Sequence, residues 1–116
     1  MNNVCVFTIH VHDMDQALKF YTEVLKFETE KKYGEKIISL VHHDIPIVLE
    51  ENVHMNKDGG QNVRLGLKSE DIDQDFSYLR SKGVTILVDE PQPCPPGRYI
   101  VFEDPSGNHL ELVEIS

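Results

Sequence analysis

Two stretches of this chain repeat one another. Asp13-Met14-Asp15-Gln16 returns as Asp71-Ile72-Asp73-Gln74, a shift of 58 residues, and at the same shift Leu18 falls on Phe76, Tyr21 on Leu79 and Val6 on Arg64. An Asp-x-Asp-Gln start can recur by itself, because helix N-caps draw on few residue types. Agreement of register through both strand and helix is harder to obtain by chance. A chain of 116 residues built this way is confined to duplicated-module architectures.

The flanking patterns fill in the module. In the first half, residues 3–11 alternate as a strand, with Phe7, Ile9 and Val11 on one face and Val6, Thr8, His10 and His12 on the other. Met14, Ala17, Leu18, Tyr21, Val24 and Leu25 recur at helical spacing, which predicts a helix over 14–26. Strands are expected over 26–32, 34–41 and 45–51, the last starting late or lying at an edge because of Pro46. In the second half, 62–68 reads as a strand and 71–82 as a helix stopped by Gly83. A strand over 84–88, a four-proline loop over 89–97 and two further strands follow. Each half is strand, helix, three strands. The fold class is therefore α+β, two βαβββ modules of about 1–56 and 61–116 within one domain, joined by the polar, glycine-rich residues 56–60.

The final pair of strands is joined by Asp104-Pro105-Ser106-Gly107-Asn108. Pro105 fixes φ, Gly107 permits positive φ, and Asp104 and Asn108 bond back to nearby backbone, so the connection is tight. In the outgoing strand Leu110 and Leu112 point one way and His109, Glu111 and Val113 the other. Glu111 is thus mid-strand on the face away from the leucines. Such a carboxylate is either solvated on a half-buried sheet or aimed into a cavity, and periodicity alone favours the first.

Charge and cysteine usage narrow the partners. The net charge of −9, with no long run of Lys or Arg, has the wrong sign for nucleic acid or an anionic membrane. No apolar stretch approaches the ~18 residues of a membrane span. Cys5, in a strand, and Cys94, among prolines, make neither a disulfide framework nor a zinc spacing. A cytoplasmic protein without nucleic-acid or membrane partners is expected.

The helix entry Asp13-Met14-Asp15 with Phe20-Tyr21-Thr22-Glu23-Val24-Leu25, together with Phe102 to Glu114, resembles the signatures of the glyoxalase/bleomycin-resistance/extradiol-dioxygenase (vicinal oxygen chelate) superfamily. The resemblance covers essentially the whole chain and is specific for fold, much less so for activity. Leu25-Lys26-Phe27 departs from the more usual Leu-Gly-hydrophobic. The resemblance implies that curved sheets of two modules enclose a cup. In the enzymes one divalent metal is held there by up to four residues from the first and fourth strands of each half, acting as a Lewis acid. Seven residues before each helix-opening Asp stand Val6 and Arg64, the terminal position is Glu111, and its first-half counterpart is Val48. Valine has no donor atom and arginine does not deprotonate to become one. The resemblance therefore implies a cup with no metal and no other cofactor, a divalent metal being the alternative.

The candidate ligand-binding residues are Thr8, His10, Val48, Glu50, Arg64, Lys68 and Tyr99, with Glu111 the candidate catalytic group, as a base or as the partner of a cation. Arg64 is expected to fill the space of a metal and to pair with Glu111 through its planar fork. If the cup takes a carboxylate or phenolate ligand, Arg64 and Lys68 are its anchors and Thr8 and His10 supply hydrogen bonds. His10 and His12 are read as cup-lining and loop residues rather than ligands, and His42, His43 and His54 as solvated turn residues. Tyr99 and Cys94 line or cover the mouth, or simply pack. The expected function is small-molecule binding, as a homodimer, whether or not the chain is an enzyme. The alternative is a metal-dependent glyoxalase I-like lyase or a ring-cleaving dioxygenase.

Overall fold

Asp13 and Asp71 each open a helix in the same way. Both are extended, and both accept from the backbone N–H three residues on, Gln16 and Gln74 respectively, at 3.1 Å. The computed structural model that shows this describes residues 1–52 and 62–116. The linker reading of 56–60 and the turn reading of His54 lie outside the described residues. The chain divides into two compact units, Val6–Val63 and a second made of Met1–Cys5 with Arg64–Ser116.

In the first unit the elements are β1 (Val4–Val11, its first two residues counted with the other unit), α1 (Met14–Leu18), β2 (Thr29–Lys32), β3 (Ile37–Leu40) and β4 (Ile47–Glu51). Sheet order is β2-β3-β4-β1, with β1 parallel to β4 and the other pairs antiparallel. Val11, Met14, Ile38, Leu40 and Leu49 form the core, with Ile9, Leu18, Tyr21 and Phe27 packed on it. Each such aliphatic side chain contributes roughly 1.5–3 kcal/mol when fully buried. At the outer edge, Thr29-Glu30-Lys31-Lys32 are all exposed, and charge there discourages further strand pairing.

The helix predicted over 14–26 is corrected. After α1 the chain widens into a π-helical segment, Lys19–Val24. Thr22 Oγ1 donates to the Leu18 carbonyl at 2.6 Å, a side-chain bond that competes with the ordinary ladder. The Leu25 N–H then reaches Phe20, and the Phe27 N–H reaches Tyr21 at 2.9 Å. This wider exit turn brings the Tyr21 and Phe27 rings to 6.1 Å above the core. Lys26, where glycine is usual, takes φ +66°.

The second unit repeats the plan with β5 (Val63–Ser69), α2 (Ile72–Ser81), β6 (Gln92–Cys94), β7 (Gly97–Glu103) and β8 (His109–Ile115). Its order, β5-β8-β7-β6, matches the first, with β5 parallel to β8. Ile72, Leu79, Ile100 and Leu112 form the core. The chain is thus α+β, two βαβββ modules with mixed sheets.

Two expectations fail here. The stretch 84–88 is no strand: only Ile86 bridges, to Phe102. The module's second strand lies instead inside the supposed proline loop, as β6. Pro93 is tolerated because β6 is an edge strand, where a missing N–H breaks no inner ladder. The Asp104 turn forms as its residues dictate. Asp104 Oδ1 accepts from the backbone N–H groups of Ser106 and Asn108, both at 2.9 Å, and Gly107 adopts φ +86°.

Candidate functional site

Strand alternation sorts each sheet into a helix face and a free face. In the second unit Leu67, Ile100, Phe102 and Leu112 pack toward α2. Ser69 donates to Asp75 of α2 at 2.6 Å, from the same side. By alternation Arg64, Gly66 and Lys68 on β5, Glu111 and Val113 on β8, and Tyr99 and Val101 on β7 share the opposite face. Gly66 is the register partner of Glu111, Lys68 of Val113, Val101 of Glu111 and Tyr99 of Val113.

Arg64 reaches diagonally across that ladder to Glu111. Its Nη1 stands 3.6 Å from Glu111 Oε1, with the two side chains 21% and 13% exposed. The expected partners meet, but not as a two-pronged fork: one nitrogen faces one oxygen, beyond the ~3.2 Å of a hydrogen bond. The register explains this, since Gly66 rather than Arg64 lies directly opposite Glu111. Arg64 Nε is buried and has no acceptor among the described residues. Lys68 Nζ approaches Glu70 at 3.7 Å near solvent. Burial pushes the Cys5 thiol up, opposed by a backbone hydrogen bond and the Lys68 charge and reinforced by Glu111. Cys5 thus remains a thiol at neutral pH rather than a nucleophile. Tyr99 is half-buried on β7, where its register partners are Gln92 and Val113.

In the first unit the corresponding face holds Thr8 and His10 on β1 opposite Val48 and Glu50 on β4. Thr8 and His10 are buried, and His10 Nδ1 lies 3.5 Å from Glu50 Oε2. The ladder is equivalent to that of the second unit: Thr8 opposite Val48 corresponds to Gly66 opposite Glu111. His12 is exposed beyond the strand, and His42 turns back to the Ile45 carbonyl at 2.8 Å.

The structure also explains a carboxylate that spacing left unassigned. Glu114 is three residues from Glu111, so it points to the other face, where its Oε2 accepts from the Ile72 N–H at 2.9 Å. Glu51, three residues from Val48, does the same for the Met14 N–H at 2.8 Å. Each module thus uses a fourth-strand glutamate to hold its helix start, and Arg98 braces the second through Glu114 (3.1 Å) and both oxygens of Asp73 (3.2 and 3.0 Å). The helix-face glutamate is present in both halves, the free-face one only in the second. Recurrence of a glutamate three residues past Val48 and past Glu111 was the available signal.

The donor set can be tested against a divalent ion. Val6 and Val48 bring no donor atom in the first unit, and in the second Glu111 stands beside a guanidinium. Among the described residues no group of three or more His, Cys, Asp or Glu side chains is placed to hold a metal. These residues do not fit the ion. The groove between α2 and 84–89, lined by Phe76, Arg80, Val84, Ile86, Val88 and Asp89, lies on the helix side, away from Glu111.

Known proteins share this fold. The chain is 31% identical to the uncharacterized protein YurT of Bacillus subtilis, over 96% of this chain and 98% of that one. It is 28% identical to a probable chloroplastic lactoylglutathione lyase of Arabidopsis thaliana, over 90% of this chain but only 33% of the longer relative. Among solved structures, a methylmalonyl-CoA epimerase in complex with methylmalonyl-CoA and NH4+ superposes with a TM-score of 0.70 at 24% identity, over 98% of this chain and 94% of that one. The model of the glyoxalase/bleomycin resistance protein/dioxygenase superfamily matches residues 4–112, and the chain belongs to that family.

Proposed function

We propose that this chain binds a small organic molecule on the free face of its second module and works there without a divalent metal. The observation that carries the reading is the Arg64–Glu111 approach at 3.6 Å, a cation standing at a position where the resemblance implies a metal ligand. A guanidinium beside the carboxylate supplies fixed positive charge, so a bound molecule is oriented by Arg64 and Lys68 rather than by an ion. Thr8, His10, Val48 and Glu50 hold the corresponding face of the first module. The family supports the class of function, since a relative in fold carries a CoA ester. Cys5 and Cys94, both thiols, suit a reducing cytosol.

The experiment is a thermal-shift screen of small neutral, anionic and cationic compounds against the chain and its Glu111→Ala variant. A ligand at about 100 times its Kd adds roughly 2.7 kcal/mol, a rise of several degrees. The reading expects at least one saturable hit whose affinity changes in Glu111→Ala or Arg64→Ala. Hits indifferent to both Glu111→Ala and Arg64→Ala contradict it.

A second reading, a metal-dependent lyase, is favoured by one observation: Glu111 is present and mostly buried. It requires a bound ion that depends on Glu111.

A further inference from the structure

We infer that Arg64 and Glu111 together select a planar monoanion, a carboxylate above all, over neutral molecules and over dianions. This rests on the small-molecule reading and narrows it to a ligand class. Arg64 is incompletely satisfied. Its Nε is buried with no acceptor among the described residues, and Nη1 faces Glu111 Oε1 only at 3.6 Å. A guanidinium carries five N–H donors in a fixed plane, and buried donors are nearly always paired. Yet a fifth of the side chain stays exposed, so the group is not sealed.

The surroundings point to the shape of the missing acceptor. On the same face Val101 flanks Glu111, and Val113 and Tyr99 lie next along the ladder. Lys68 is the register partner of Val113. A molecule with a flat anionic head and an apolar body suits this surface. Its two oxygens accept in parallel from the guanidinium, and its body lies toward the half-buried Tyr99, the two valines being already buried.

Glu111 sets the permitted charge. Lys68 already faces Glu70 at 3.7 Å, so the charge a ligand meets is that of Arg64 beside Glu111: a single carboxylate charge is matched by the guanidinium, whereas a phosphate dianion sets twice that charge against Glu111. A neutral amide offers no charge-assisted acceptor pair. Glu111 is therefore a specificity determinant, and it acts through repulsion as much as through its hold on Arg64.

The test follows the Arg64 Nε–Hε resonance of the 15N-labelled chain during titration with benzoate, phenylacetate or hexanoate. Benzamide and inorganic phosphate are the comparators, at about pH 8 where phosphate monoesters and their parent are largely dianionic. At least one carboxylate is expected to move that resonance saturably and to bind about tenfold or more tightly than either comparator. Arg64→Lys weakens it about tenfold, and Glu111→Gln narrows the gap between carboxylate and phosphate by a similar factor. If Arg64→Lys fails to fold, the wild-type titration and Glu111→Gln decide. The inference is overturned if benzamide or phosphate matches the carboxylate, if the Nε–Hε resonance stays still during binding, or if no carboxylate binds. In that last case a neutral or cationic hit sensitive to Glu111→Ala keeps the small-molecule reading, and the lack of any such hit removes both.

Discussion

At position 26 a lysine occupies backbone that suits glycine. Its φ of +66° brings Cβ toward the following carbonyl, at a cost of about 1 kcal/mol for a residue with a side chain. Lys26→Gly is therefore expected to stabilise the chain by about 0.5–1 kcal/mol, seen as a higher urea midpoint at unchanged slope. A lowered midpoint contradicts this. The sequence flagged the departure from Leu-Gly-hydrophobic but not its conformation, because φ depends on the wide π exit turn, which depends in turn on Thr22. Arg64 and Glu111 were more legible. The resemblance put them at the two ligand positions of the second half, and they meet there. Arg64→Leu leaves Glu111 mostly buried without its cation and is expected to cost about 1–3 kcal/mol. Adding Glu111→Leu should recover part of that loss. A double-mutant cycle in urea with coupling below ~0.5 kcal/mol shows that the two act independently.

Among the elements, the helix starts were readable in part. Asp13 and Asp71 announce themselves because their partners are three residues away. Glu51 and Glu114 do not, since they reach Met14 and Ile72 across 37 and 42 residues of chain. The second contact has a pH signature. The Ile72 N–H first, and then Arg98, hold the Glu114 carboxyl below the usual carboxylate range. A depressed folded pKa contributes stability above the unfolded value, about 4.3, and that stability is lost as pH falls through the folded value. Glu114→Gln should therefore flatten the acid side of a plot of urea midpoint against pH, with little change in slope above about pH 6. An unaltered acid limb contradicts the assignment. Strand readings failed where alternation and pairing part company. Val84, Ile86 and Val88 alternate because they pack beneath α2. Gln92-Pro93-Cys94 pairs with β7 because an edge can accommodate proline.

For the whole molecule, the repeat at 58 residues carried most of the information. It implied two modules, and the two sheets share one strand order and one parallel pair. What it did not carry is assembly, because strand order says nothing of how copies meet. A homodimer is expected by proposal, and light scattering at tens of micromolar giving twice the chain mass would agree with it, a monomer mass against it. Function is likewise not legible in the modules, since the same fold hosts unrelated chemistries. The central claim is that Arg64 stands in for a metal ligand, so elemental analysis of the chain purified without chelator tests it most directly. The account predicts far less than one zinc, nickel, manganese or iron per chain; about one per chain, lost on Glu111→Ala, contradicts it.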